Sequence, residues 1–170
     1  SKEKPPEAPF ENALFAHPPV DVDEGSPFPS PTVEPPKWEV PEGWEKKAIS
    51  GPRVASFLVK GEGEAELDVA VTRFPGSMGS PLLNLNRWRG QLKLEDVEEA
   101  RFAEHATERE VGGRPAYLVN LTNGDRGMLA VMILNEELSW FVKATGPTDL
   151  VESQKANFEA FLDSIRFPVP

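Results

Sequence analysis

Between Asp68 and Glu95 the chain carries no acidic residue, while Arg73, Arg87, Arg89 and Lys93 fall inside that interval. In a protein with 18 basic and 28 acidic residues and a formal net charge of -10, this is a local basic island. Arginine forks onto carboxylates and phosphates and stacks on aromatic faces. Arg87, Trp88 and Arg89 are therefore candidate residues for an anionic ligand or partner, with Arg73, Asn84, Asn86 and Gln91 beside them. The free amides of a helix starting at Ser80 and Pro81 would favour the same charge. A competing assignment keeps these residues internal. Arg87 and Arg89 would pair with the acidic segment "LEDVEEARFAEH" that follows, and Asn84 and Asn86 would satisfy backbone groups of a loop. In "ELSWFVKATGP", Trp140 reads first as a core tryptophan and second as a binding platform, with Lys143 expected on the same side to extend a groove.

Other chemistries lack their residues. "FPGSMGSPLL" has glycines too close together for a phosphate loop, with no lysine after them, and no G-x-G-x-x-G occurs. A serine nucleophile would have to recruit His105, and no G-x-S-x-G is present. The chain has no cysteine and two histidines, which removes thiolate zinc sites, disulfides and multi-histidine metal centres. Acidic alternation such as Glu62, Glu64 and Glu66 fits a solvated hairpin better than a catalytic pair. The expectation is a binding domain with no catalytic residues, no metal and no cofactor; the alternatives are a small enzyme acting on an anionic substrate at Arg87 and Arg89, and a purely structural accessory subunit. The acidic balance argues against nucleic acid as a partner.

The elements that would position these residues follow from periodicity. Strand character runs through 45–50, 53–60 and 65–73, and in the last of these Leu67, Val69 and Val71 alternate with Asp68, Ala70 and Thr72. Ser80 supplies an N-cap acceptor and Pro81 tolerates the first helical position. Leu82, Leu85, Trp88 and Leu92 then recur at helical spacing, with Gly90 an interruption and a short helical turn in "LEDVEEARF". "ATEREV", "RPAYLVNLT", "RGMLAVMILN" and "ELSWFVKATG", separated by "GG", "NGD" and "NEE", predict a four-stranded antiparallel meander. "TDLVESQKANFEAFLDSIRF" predicts one long amphipathic helix, with Asp149 and Glu152 as a capping box and Val151, Phe158, Phe161, Leu162 and Ile165 on its apolar face. The fold class is α+β: an antiparallel sheet of about six to seven strands flanked by helices.

Ten of the 18 prolines lie in the first 36 residues, so residues 1–37 predict an extended, acidic, Pro-rich arm or tether and residues 38–170 a single globular domain. No apolar run of membrane-spanning length exists, and the first residues show no apolar signal core.

"VPEGW", "VGGRPAYLVNLT" and "WFVKATGP…VESQKANFEAFLDSIRF" resemble the PsbP family of extrinsic photosystem II subunits. The same fold occurs in the Ran-binding yeast protein Mog and in bacterial lipoprotein and envelope families. The resemblance spans residues 38–167, and it implies an α/β/α sandwich and a non-enzymatic domain that contacts a protein or small anionic partner. It also implies a place outside the cytoplasm, with a lipid or leader anchor upstream of residue 1. It carries over no individual functional residue.

Overall fold

The computed structural model describes residues 35–168. Most of the expected arm, residues 1–34, lies outside the described residues. Seven strands form one sheet: β1 (Trp44–Lys46), β2 (Arg53–Lys60), β3 (Glu66–Pro75), β4 (Thr107–Val111), β5 (Arg114–Asn123), β6 (Arg126–Ile133) and β7 (Leu138–Pro147). Their spatial order is β1-β2-β3-β7-β6-β5-β4, and every neighbouring pair is antiparallel. Two meanders, β1–β3 and β4–β7, are thus joined through the last strand of each, β3 against β7. After β3 the chain must cross to the far edge before β4 can start. It does so through helix α1 (Pro81–Gln91) and a 3₁₀ helix (Glu99–Glu104), which lie across the sheet on the way.

Strand alternation divides the core into two layers. On one face Phe57, Val59, Leu67, Val69, Val71, Leu129, Val131, Trp140 and Val142 pack under helices α2 (Thr148–Ser153) and α3 (Lys155–Ser164). On the other, Val119, Leu121, Met128, Ala130, Met132 and Phe141 pack under Leu85, Trp88 and Leu92 of α1, with Val97 and Ala106 from the segment that follows. The expected stripe is buried at its last three positions, and Leu82 is half-buried.

The C-terminal helix departs from expectation. It breaks at Gln154 (φ -99°, ψ 5°) into α2 and α3. Gln154 spends its side-chain oxygen on Trp44 Nε1 (2.9 Å) and Asn157 Nδ2 (3.0 Å), so the kink anchors β1 to the helical layer. The capping box is also corrected: the N-cap is Pro147, which has no side-chain acceptor, and the first-turn hydroxyl of Thr148 donates instead to Gly124 O (2.9 Å). At the start of the described residues the chain is tied to the domain. Lys37 already exchanges backbone bonds with Arg166 (2.9 and 2.8 Å), and Trp38 stacks on Phe161 at 5.4 Å.

Gly90 does not interrupt α1; it sits within the last turn. The stop comes three residues later, where Leu94 N donates to Arg89 O (2.8 Å) and Lys93 N to Gly90 O (3.0 Å). That pairing is a Schellman cap, which wants glycine at its left-handed position, and here Lys93 occupies it at φ 62°. The glycine and the lysine are thus each at the place that suits the other. Lys93→Gly should raise stability by about 0.5–1 kcal/mol by relieving the left-handed conformation. Gly90→Ala, whose Cβ would meet nothing within 4 Å, should add about as much through helix propensity. Urea titrations read both; a loss for Lys93→Gly would contradict the assigned cap.

Candidate functional site

The basic island of the sequence does not form one site. Arg73 lies on the α2/α3 face of the sheet, its guanidinium carbon 5.8 Å from the ring centre of Trp140. Arg89 turns to the loop after α1 and donates from Nε to Glu95 O at 2.6 Å, a backbone carbonyl rather than the carboxylate expected of an internal pair. Lys93 is in the helix cap. Arg87 alone leans from α1 onto the opposite face of β7, 6.0 Å above the Phe141 ring.

The aromatic and amide candidates also separate. Trp88 is 2% exposed and meets Phe141 edge to face at 5.9 Å, and Trp140 is 4% exposed in the other layer. Neither indole offers a face to a partner, and their burial removes both from a binding surface. Asn84 is fully buried; its Nδ2 holds Met78 O (3.0 Å) and Ser80 O (2.9 Å), tying the turn before α1 to the helix, while its Oδ1 has no partner. Asn86 bonds both backbone groups of Val97 (3.1 and 2.8 Å). The two asparagines thus satisfy backbone groups, the internal role weighed for them. Ser80 caps as expected, accepting from Leu83 N at 3.1 Å.

Lys143 and Trp140 do not share a side. Three positions apart on a strand, they point to opposite faces. Lys143 shares its face with Phe141, and so comes under α1. Its Nζ donates to Gln91 Oε1 at 2.9 Å, one helical turn on from Arg87. Burial first, then the charges of Arg87 and Arg53, lower the Lys143 pKa, with Asp68 opposing.

Arg53 is the residue the sequence pattern hides. Strict alternation from Phe57 and Val59 would put it in the α2/α3 layer. The register with β3 shifts between Arg53 and Ala55, so Ala55 pairs with Val71 but Arg53 with Thr72. This β-bulge inverts Arg53 onto the face of Asp68 and Lys143. There Arg53 forks onto Asp68 (3.2 and 2.9 Å) and donates to Ser56 Oγ (2.6 Å), and Lys47 Nζ stands 3.5 Å from the same carboxylate. Burial would push the Asp68 carboxyl up, but Arg53 and Lys47 outweigh it and hold the pKa below the ordinary carboxylate value.

What results is a shelf on the β2–β3–β7 part of the sheet beside α1. Lys47 and Arg53 hold one carboxylate, Asp68, whose charge also reaches Lys143, and Arg87 stands beside Lys143 on the far side from it, with Ser56, Thr72 and Gln91 on the same face. Among the described residues, no carboxylate pairs with Arg87 or Lys143. No set of three or more His, Asp or Glu among the described residues is arranged to hold a metal ion.

A half-buried lysine beside two arginines costs stability. Its charged form is the one the fold disfavours, so its folded pKa lies below the unfolded one. The penalty is full at neutral pH and is relieved as pH rises from the folded pKa toward the unfolded value of about 10.4. Lys143→Met keeps the stem and drops the charge. It should leave stability unchanged or raise it by up to about 1 kcal/mol at pH 7, and flatten the gain in stability on the alkaline side. Denaturation midpoints from pH 7 to 10 test this; a marked loss at pH 7 would show that the amine is structural.

Seven antiparallel strands between helical layers make this a PsbP-like α+β fold. Cyanobacterial PsbP (CyanoP) from Synechocystis superposes with TM-score 0.50 at 15% identity, over 78% of this chain and 86% of that one. LpqN, described as involved in cell envelope biogenesis of Mycobacterium tuberculosis, superposes with TM-score 0.51 at 11% identity, over 78% and 83%. A structure from Bacteroides thetaiotaomicron overlaps at TM-score 0.48 and 9% identity, covering 79% of this chain but 45% of that one. No family model matches the sequence, and no curated protein matches it. No helix among the described residues is long and apolar enough to cross a membrane.

Proposed function

We propose that this protein is a non-enzymatic binding or accessory domain of the bacterial cell envelope, acting outside the cytoplasm and holding a partner through an anionic group at the Arg87–Lys143 shelf. One observation carries this reading: two cations share one sheet face and, among the described residues, no carboxylate is paired with either, in a chain of net charge -10. Unpaired charge of this kind costs stability and is retained where something binds it. The envelope assignment is supported by the fold shared with LpqN.

The test compares wild type, Arg87→Ala/Lys143→Met and Arg114→Ala as baits against a solubilised envelope fraction. Arg114 lies away from the shelf, stacked on Phe167 at 3.8 Å. Partners should be retained by wild type and Arg114→Ala, released by salt, and lost from the shelf variant. A partner set indifferent to the shelf variant would overturn the reading and leave a purely structural accessory role.

A further inference from the structure

We infer that the shelf takes a dianionic phosphoryl group, such as a phosphate monoester, rather than a single carboxylate. This rests on the anion-binding reading above and names the ligand class for the same surface.

Charge is the first argument. Asp68 already takes the fork of Arg53 and the amine of Lys47, so one carboxylate is built into the shelf and is satisfied there. Arg87 and Lys143 remain, near enough for the charge of one to disfavour that of the other. A carboxylate would neutralise half of that pair, whereas a phosphate monoester carries close to two negative charges at neutral pH.

Donor inventory is the second. Gln91 is exposed and gives its oxygen to Lys143 Nζ, so its amide nitrogen is left as a donor. Arg87 leans over Phe141, and Lys143 stands two residues further along the same face of β7. A guanidinium, an ammonium and an amide NH₂ therefore border one patch, and the one acceptor among these side chains, Gln91 Oε1, is already bonded to Lys143. That set fits a ligand group with several acceptor oxygens and no donors. Thr72, opposite Phe141 on β3, adds a hydroxyl at the rim.

The experiment is a titration of ¹⁵N-labelled full-length protein with phenyl phosphate and, at matched ionic strength, with benzoate. At pH 7.5, phenyl phosphate should give saturable shifts at Arg87, Gln91, Thr72 and Lys143, and bind about tenfold tighter than benzoate. Arg87→Ala and Lys143→Met should each weaken it about tenfold, with dispersed spectra showing that both variants are folded; Arg114→Ala should not change it.

pH supplies a second readout. Lowering pH from 7.5 to 5.5 protonates the monoester, whose second pKa is about 6, and should weaken binding severalfold while benzoate binding holds. Raising pH should weaken both ligands as Lys143, faced by Arg87 and Gln91 of α1, Arg53 of β2 and Asp68 of β3, loses its proton. Vesicles containing phosphatidic acid, run beside the soluble ester, distinguish a lipid headgroup from a free phosphoryl group as the source. Equal affinity for benzoate and phenyl phosphate would overturn the phosphoryl assignment and leave the anion site standing. Shifts that are unsaturable, or indifferent to Arg87→Ala and Lys143→Met, would overturn both.

Discussion

Replacing Asn84 with aspartate should destabilise the protein by about 3–5 kcal/mol at neutral pH, a large part of the 5–15 kcal/mol that holds a typical domain together. Asn84 is fully buried, and its amide nitrogen donates to two carbonyls, Met78 O and Ser80 O. Asn84→Asp turns that nitrogen into an acceptor facing two acceptors, and buries a charge with no cation to meet it. The backbone it releases is already strained, since Met78 sits at φ 57° between Gly76 and Gly79, both also left-handed. The sign of the pH dependence follows. Burial raises the introduced carboxyl's folded pKa above its unfolded value, so the loss grows as pH rises through the unfolded pKa of about 3.9 and shrinks in acid. Asn84→Leu separates charge from hydrogen bonding. Because Oδ1 has no partner, its removal loses no bond, and the cost should fall to about 1–3 kcal/mol, mostly for the carbonyl left bare at Met78. Urea denaturation of the three proteins at pH 4.5 and 7.5 checks the order. Equal losses for the two substitutions, independent of pH, would show that packing rather than donor placement makes this residue necessary.

Phe161→Ala should cost about 3–5 kcal/mol. The ring has no exposed surface and touches three others, Trp38 at 5.4 Å, Trp44 at 5.3 Å and Phe57 at 5.9 Å. It is the point where α3 meets β1, β2 and the segment that enters the domain. Truncation opens a cavity among large, stiff rings that cannot collapse into it. The loss should therefore fall at the high end of the range and be accompanied by a changed tryptophan fluorescence in the folded state. The anion shelf is on the opposite face of the sheet. Phenyl phosphate affinity of the folded variant should stay within about twofold of wild type, because well-separated sites act independently. A loss under 1 kcal/mol would mean that the cluster repacks freely.

The sequence by itself determined the sheet-forming segments, the antiparallel meander, the Ser80 cap and the apolar face of the C-terminal helices. These depend on periodicity and turn chemistry, which are local, and strands β2, β5, β6 and β7 fall close to where alternation and turn residues place them. It also marked Arg87 and Lys143, each for its own reason, but could not join them. That union was decided by the crossover of α1 from β3 to the far edge, which lays Arg87 and Gln91 over β7. The same tertiary arrangement put Arg73 on the other face of the sheet and left Arg89 and Lys93 at the end of α1, bound up in the loop and the cap rather than over β7. It buried Trp88 and Trp140 in different layers. Arg53 could not be seen at all, because a single bulged residue reverses the alternation by which a strand's faces are read, and only the register with β3 reveals it. Charges along a chain show what could attract an anion; which of them face one another is set by strand register and by the path of one helix across the sheet.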